Sequence, residues 1–255
     1  MQQTDTPSTV RVTTTNRVFT AFSDDARRRL QPHLEPVRLP AGKILYEAGD
    51  AMRHVVFPEH GVVALVASTS DGAATEVALI GREGVVGLPS MSAVMPAPYE
   101  VLVQLAGDGH RIRVDMFRLE FRRDPSVQEA VLDDLHRLLQ QMAQSVVCNR
   151  YHTARQRLCR WLLMTQDRAA PDTVPLTQEF LGHMLGATRK RVSYAAAQLQ
   201  DAGCIRQRHG QIRILDRRGL EQRTCECYRA TAEQRPAPAG AYRTQVLSAS
   251  SPAGR

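Results

Sequence analysis

The sequence predicts an α+β protein in three parts: an N-terminal antiparallel β-roll of jelly-roll type, a long dimerisation helix, and a C-terminal winged helix-turn-helix. Three observations carry this prediction. Short β-branched and apolar segments punctuated by glycine turns fill residues 37–114. An apolar seam at spacings of three and four then runs from Val131 to Val146. Finally, PLTQEFLGHMLGATRKRVSYAAAQLQDAGCI at 175–205 holds two helical periods joined by a tight turn.

Taken in order, residues 1–16 are rich in Thr, Gln and Ser with little apolar content, which predicts a disordered tail. An amphipathic helix is expected within 18–34, with Ser23 as its cap ahead of Asp24 and Asp25 and with Leu30 and Leu34 inside it. Strands are expected at 37–39, 44–46, 54–58, 61–68, 75–80, 101–105 and 111–114, with turns such as Ser70-Asp-Gly72 and Gly107-Asp-Gly109 between them. Together 17–124 form a first domain. Asp124-Pro-Ser126 opens the dimerisation helix, 125–148. Its seam is Val131, Leu135, Leu138, Met142 and Val146, the alternative being a helix packed on its own β domain. Residues 149–231 form the second domain, which begins with a helix over 151–167 carrying Leu158, Trp161, Leu162 and Met164, followed by a loop at 169–173. A closing helix is expected over 218–228. The Pro-, Ala-, Gly- and Ser-rich end, 232–255, reads as a second tail.

The helix-turn-helix is the most informative stretch. Thr177 can accept from the free amides of a first helix whose apolar face is Phe180, Leu181, Met184 and Leu185. Gly186 supplies the turn. Thr188 caps a second helix, which buries Val192, Ala195, Ala196 and Leu199 and ends near Gly203. Arg189, Lys190, Arg191, Ser193 and Tyr194 crowd the start of that helix. Cations there oppose the macrodipole, so stability alone would not select them. An α-helix fits the DNA major groove, an Arg at its leading end can pair with guanine O6 and N7, and hydroxyl groups hold phosphates. Thr177, Gln178, Thr188 and the five residues 189–191, 193 and 194 are therefore candidate DNA contacts. Residues 204–215 alternate apolar and polar around His209-Gly210, as a β-hairpin does, and its tip carries Arg208 and His209 toward phosphate.

Charge agrees. The net charge is +7, and residues 149–235 hold 16 Lys+Arg against 8 Asp+Glu while the rest holds 17 against 18. The positive field thus lies entirely in the segment that carries the helix-turn-helix, as a phosphate-binding module requires. Nearly all of it is Arg, since Lys occurs only at 43 and 190. No apolar run approaches a membrane span and the N-terminus lacks a signal-peptide core, so a cytoplasmic protein is expected. The five cysteines (148, 159, 204, 225 and 227) show no CxxC pair and read as reduced structural thiols. The close pair Cys225 and Cys227 is a weak hint of metal or redox chemistry.

The order of β-roll, long helix and winged helix-turn-helix resembles the Crp/Fnr family of bacterial transcription regulators across residues 18–229. In the β domain the matching residues are Leu39-Pro-Ala-Gly42-Lys-Ile44, Gly49-Asp50, Phe57, Gly61, Asp71-Gly72 and Gly81 to Gly87. In the second domain they are Thr177, Leu181, Gly186, Thr188-Arg189, Val192-Ser193, Leu199, Gly203 and Ile205. The resemblance implies a homodimer on a near-palindromic operator, RNA polymerase as a further partner, activation or repression of transcription, and Arg189 as the guanine reader. It also implies an effector pocket at Gly81, Glu83, Gly84, Val86, Gly87, Leu88, Pro98 and Tyr99. Cyclic-nucleotide binders of the family use a Gly-Glu pair for the ribose and an Arg-Ser/Thr pair for the phosphate. Here Leu88-Pro89 follows Gly87, and Pro98-Tyr99-Glu100 stands where the cation belongs. A cyclic phosphate beside Glu100 without a cation would be poorly held, so gating by cyclic AMP is not expected. The iron–sulfur cysteines of the family's oxygen sensors have no counterpart before Cys148, and no cofactor is evident.

Two other readings stay open at this point. A ligand-binding module without DNA function would leave the basic helix and hairpin unexplained. A cupin-like metalloenzyme would need converging His and carboxylate ligands, whereas His54, His60 and His110 are isolated.

Overall fold

The computed structural model describes residues 14–91, 96–169, 173–175, 178–208 and 210–232. The chain begins with α1 (Arg17–Thr20), α2 (Asp24–Leu30) and a 3-10 turn (Gln31–His33). The helix expected under the Ser23 cap forms as α2 but ends at Leu30, before Leu34, where the 3-10 turn takes over, and α1 is an additional turn of helix under a cap of its own. Asn16 accepts from the Val18 and Phe19 amides, and Ser23 from that of Ala26. Asn16 also ends the expected tail early: it is fully buried, and its side-chain amide donates to the Pro58 and Gly84 carbonyls at 2.9 Å each. Thr15 also leaves the tail, its amide donating to Glu59 at 2.9 Å, and Ala232 ends the last described helix rather than opening the second tail; of the expected tails, 1–13 and 233–255 lie outside the described residues.

Strands β1 (Glu35–Leu39), β2 (Ile44–Tyr46), β3 (His54–Pro58), β4 (Val62–Ser68), β5 (Ala74–Ile80), β6 (Glu100–Leu105) and β7 (Gly107–Arg113) build the roll. They form two antiparallel sheets, ordered β1-β7-β3 and β2-β6-β4-β5. Leu39, Val56, Val63, Leu65, Val101 and Val103 bring both sheets into one apolar cluster. Gly107-Asp108-Gly109, expected as a turn, is instead strand, paired with Leu39, Arg38 and Val37. A Cβ at Gly109 would stand 2.3 Å from the Phe57 carbonyl oxygen, so the glycine permits a close approach of backbones rather than a reversal.

Helix α3 (Val114–Arg123) was not legible as a separate element. It buries Phe117 edge-on against Phe57, ring centroids 5.7 Å apart. Asp124 then caps α4 (Pro125–Tyr151) by accepting from the Ser126 amide, with Pro125 in the first turn. The chain itself uses part of the seam expected for dimerisation, Val131 wholly and the half-buried Leu135, Leu138 and Met142 in part. Val131 is fully buried in the protein's own core and Leu135 packs beside it, while Leu138 and Met142 pack on the β-roll. Of the predicted set only Val146 stays exposed. It falls on an outward ridge with Leu132 and Leu139, seven residues apart in each step, where the exposures are 58%, 64% and 69% in chain order.

The C-terminal region comprises α5 (Ala154–Ala169), β8 (Thr173–Pro175), α6 (Gln178–Met184), α7 (Arg189–Asp201), β9 (Ile205–Arg208), β10 (Gln211–Ile214), α8 (Arg217–Arg223) and α9 (Cys227–Ala232). Part of the expected loop before the helix-turn-helix is the short strand β8, which extends the hairpin to the order β8-β10-β9. The expected closing helix is two helices, broken at residues 224–226. One cluster joins this region to the roll: Val62, Ala64, Val66, Leu79 and Leu105 pack with Leu158, Trp161, Leu162, Leu181 and Leu199. Each fully buried leucine there contributes about 1.5–3 kcal/mol. Polar contacts run across the same junction. The Trp161 indole donates to Glu76 at 2.8 Å, Gln104 donates to Thr165 at 3.0 Å, and Arg168 pairs with Glu83 at 2.7 Å. Burial pushes the Glu76 carboxyl up to about 8.

Candidate nucleic-acid interface

Helix α7 forms because Thr188 caps it, accepting from the Arg191 amide at 3.4 Å, and because Val192, Ala195, Ala196 and Leu199 give it a buried face. Gly186 sits at φ +53 in the turn before it and Gly203 at φ +71 after it, the left-handed conformations that favour glycine. A Cβ on Gly182 would approach the Ala187 carbonyl oxygen to 3.1 Å, so a small residue lets α6 close on the turn. Opposite the buried face, Arg189, Lys190, Arg191 and Tyr194 are exposed, while Ser193 is half-buried and donates to the Arg189 carbonyl at 2.9 Å. None of the three cations forms an ion pair with a described residue, and they stand on the positive end of the helix dipole. A site that concentrates unpaired positive charge in this way is matched by an anion from outside.

The hairpin repeats this logic. Ile205, Ile212 and Ile214 face the core, which turns Arg206, Arg208, Gln211 and Arg213 outward to line a crevice of about 270 Å³. Arg206 lies directly across from Arg213. Like charges in such a pair destabilise a sheet, so a phosphate-sized anion would relieve them. Arg206 and Arg213 were missed in the sequence, where only the hairpin tip was singled out. Their two-residue spacing from Arg208 and Gln211 was the available signal. Thr177 and His209 lie outside the described residues. Gln178 begins α6.

One contact bears on how the interface is presented. The start of α7 stands beside the β4–β5 hairpin, across a crevice of about 570 Å³ bordered by residues 67–69 and 73–75 on one side and Gly182, His183, Gly186, Ala187, Thr188 and Arg191 on the other. A Cβ on Gly186 would come within 3.0 Å of the Thr75 hydroxyl.

The structure scatters the expected effector pocket. Glu83 is taken by Arg168. Gly81 packs on the Arg168 side chain, and Gly84 on Asp134. Glu83 and Gly84 border a cavity of about 40 Å³, far below the roughly 300–1,000 Å³ of a ligand site. Val86 exchanges both backbone hydrogen bonds with Val56 at 2.9 Å. Gly87 adopts φ +100, and a Cβ there would meet the His54 carbonyl oxygen at 2.7 Å. Leu88 is corrected from pocket lining to core, 2% exposed in the cluster of Phe57 and Phe117. Pro98 is exposed. Tyr99 is half-buried, and burial pushes its hydroxyl up to about 12. A roomier crevice of about 400 Å³ opens elsewhere on the roll, beside Lys43, Tyr46, Arg53 and Arg111.

Comparison with known proteins places this geometry. Residues 156–223 match the profile of the Crp-like helix-turn-helix domain, and residues 36–118 that of the cyclic nucleotide-binding domain. No curated protein matches the chain. Among solved structures, a transcriptional regulator assigned to the Crp/Fnr family from Eubacterium rectale superposes with TM-score 0.66 at 12% identity, covering 81% of this chain and 97% of its own. FixK2 from Bradyrhizobium japonicum superposes at 0.63 with 19% identity, covering 75% and 98%. A regulator of the CRP family from Thermus thermophilus superposes at 0.61 with 20% identity, covering 73% and 95%. At these identities the likeness is one of fold.

Proposed function

We propose, for a chain that belongs to the Crp/Fnr family of DNA-binding transcription regulators, that it works as a homodimer which reads a near-palindromic operator and does so without cyclic AMP. The family is one of regulators rather than enzymes, which removes the metalloenzyme alternative. The observation that carries the proposal is the set of outward cations that form no ion pair with a described residue, Arg189, Lys190 and Arg191 on α7, together with the Arg206, Arg208 and Arg213 wing. Arg189 reads guanine, Lys190, Arg191 and Tyr194 face the groove, and Gln178, Thr177, Thr188 and Ser193 supply polar contacts. Arg208 and His209 complete the wing's hold on the backbone.

The exposed ridge Leu132, Leu139 and Val146 supports pairing of two α4 helices, since a heptad-spaced apolar stripe in water calls for a partner. Half-sites then lie about 34 Å apart, one helical turn. The absence of cyclic-AMP gating rests on chemistry. Leu88 offers no carboxylate to a ribose, and Pro98 and Tyr99 offer no cation to a cyclic phosphate. An effector would act by shifting the population of states in which the β4–β5 hairpin holds the start of α7. No described helix is long and apolar enough to cross a membrane.

The test is selection of purified protein against random duplexes with and without cyclic AMP, the wild type beside Arg189→Ala. The expected result is a palindrome with half-sites one turn apart, unchanged by the nucleotide and altered by the substitution. Enrichment only with cyclic AMP would overturn the pocket reading. Steeply salt-dependent binding with no enriched sequence would reduce the basic surface to an electrostatic patch.

A further inference from the structure

Cys148, His152, Cys225 and Cys227 converge at the end of α4, although the sequence spreads them over two distant segments. Cys148 and His152 are one helical turn apart, so they share a face of α4 and its cap. Cys225 lies in the break between α8 and α9 and Cys227 opens α9, and both side chains are buried. The three sulfurs form a small buried cluster of their own, 1%, 3% and 0% exposed in chain order.

We infer that these four side chains are a closed structural site for a single Zn²⁺ ion, which pins the end of the long helix to the last helices of the DNA-binding region. One ligand atom from each residue lies within 4.8 Å of all the others. Zinc bonded tetrahedrally at about 2.3 Å to sulfur and about 2.0–2.1 Å to nitrogen sets ligand separations of roughly 3.8 Å and 3.5 Å. Cys148 Sγ and Cys225 Sγ are 3.6 Å apart, and Cys227 Sγ is 3.4 Å from His152 Nδ1. The sulfur separation is far beyond the ~2.05 Å of a disulfide. An iron–sulfur cluster, with several metal and sulfide atoms inside its ring of thiolates, needs a wider cage than this one.

The surroundings are those of a metal site. With Nδ1 turned to the sulfurs, His152 Nε2 faces Glu226 at 3.2 Å, the carboxylate–histidine arrangement that fixes the tautomer and orients a ligating imidazole. Gln144 donates to Cys227 Sγ at 2.9 Å. Arg160 provides an independent argument. It is only 8% exposed and forms no direct ion pair with a described residue, reaching Ser145 and Thr231 at 3.4 Å each, while its Nε has no partner; the Glu76 carboxyl feels its charge from a distance, but burial favours the neutral form of that group. A buried guanidinium calls for an anion. Three thiolates around Zn²⁺ carry one net negative charge, and Arg160 balances it.

Three thiols and an imidazole leave no open position for substrate, so the role is structural: binding displaces the thiol protons and fixes two segments that the chain's connectivity does not hold. The test uses full-length protein made in zinc-supplemented medium. Elemental analysis is expected to find one zinc per chain, lost in Cys225→Ser and Cys227→Ser and retained in Cys159→Ser and Cys204→Ser, whose thiols lie in the main core. Should the first two variants fail to fold, wild-type protein loaded with Co²⁺ decides. Intense thiolate-to-cobalt charge transfer with tetrahedral d–d bands supports the site, and a weak octahedral spectrum overturns it. Zinc-free protein with five titratable thiols, or a Cys148–Cys225 disulfide found by mass analysis, also overturns it. None of these readouts depends on DNA binding.

Discussion

Truncating Leu139 to alanine should weaken the proposed dimer and leave the protomer's fold nearly untouched. The side chain is 64% exposed in the single chain, so about two thirds of its burial can come only from a partner. Complete burial of a leucine is worth about 1.5–3 kcal/mol, which leaves roughly 1–2 kcal/mol per chain, and symmetry doubles it to roughly 2–4 kcal/mol per dimer. At 1.4 kcal/mol per factor of ten, the dimer dissociation constant should rise roughly 30- to 700-fold. Val131→Ala is the counterpart. That side chain is fully buried within the chain, so losing two methyl groups costs about 1.6 kcal/mol of folding stability plus a cavity term, with little change in association. Sedimentation equilibrium over a range of protein concentrations reads association, and urea unfolding reads stability. If Val131→Ala dissociated the dimer while Leu139→Ala did not, the outward ridge would be the wrong face and the assignment of α4 would have to be reversed.

Further outcomes are expected. Arg189→Ala should cost about 1–3 kcal/mol at one base pair and relax specificity there, measured by binding to operator variants. Arg206→Ala and Arg213→Ala should instead weaken binding evenly across sequences and reduce the slope of log affinity against log salt by about 1 each; a sequence-selective loss would show that the wing reads bases. Burial pushes the Asp134 carboxyl up from 3.8 to about 6, against the pull of Arg137 and the Val85 amide. The folded state therefore holds that proton longer than the unfolded one. Its stabilisation is complete below the ordinary value and is lost as pH rises through about 6, on the order of 3 kcal/mol. Asp134→Asn should flatten the urea midpoint across that window, and an unchanged pH profile would contradict the assignment.

How far the sequence reaches differs from element to element. The strands, the turns at Gly42, Gly49, Gly61 and Gly72, and α7 with its cap and buried face are local matters. Periodicity, one capping hydroxyl and a glycine with positive φ specify them whatever lies nearby. Where tertiary contacts enter, the reading slips. Gly107 and Gly109 carry the signature of a turn, yet they serve as places where backbones press together. The α4 seam has the right spacing, but periodicity cannot say which of two apolar stripes the β-roll will cover. Leu88 has the right offset for a pocket and is drawn into the core beneath Phe57.

The candidate sites divide in the same way. Arg189, Lys190 and Arg191 could be singled out because chemistry at a helix N-terminus is fixed within one turn of chain. Arg206 and Arg213 become a pair only once the register of β9 and β10 is known. Cys148 and His152 held half a signal in their four-residue spacing, and Cys225 and Cys227 the other half.

By itself, then, the sequence determined the order of the three parts, the caps and turns, and the charge that marks the C-terminal region as the one facing nucleic acid, because each follows from contacts within a few residues. Tertiary structure alone decided which ridge of α4 remains free, that the roll and the DNA-binding region share one core, and that four distant side chains meet at a single point. Those outcomes depend on which surfaces the folded chain covers, and surface coverage is a property of the packed whole rather than of any local pattern.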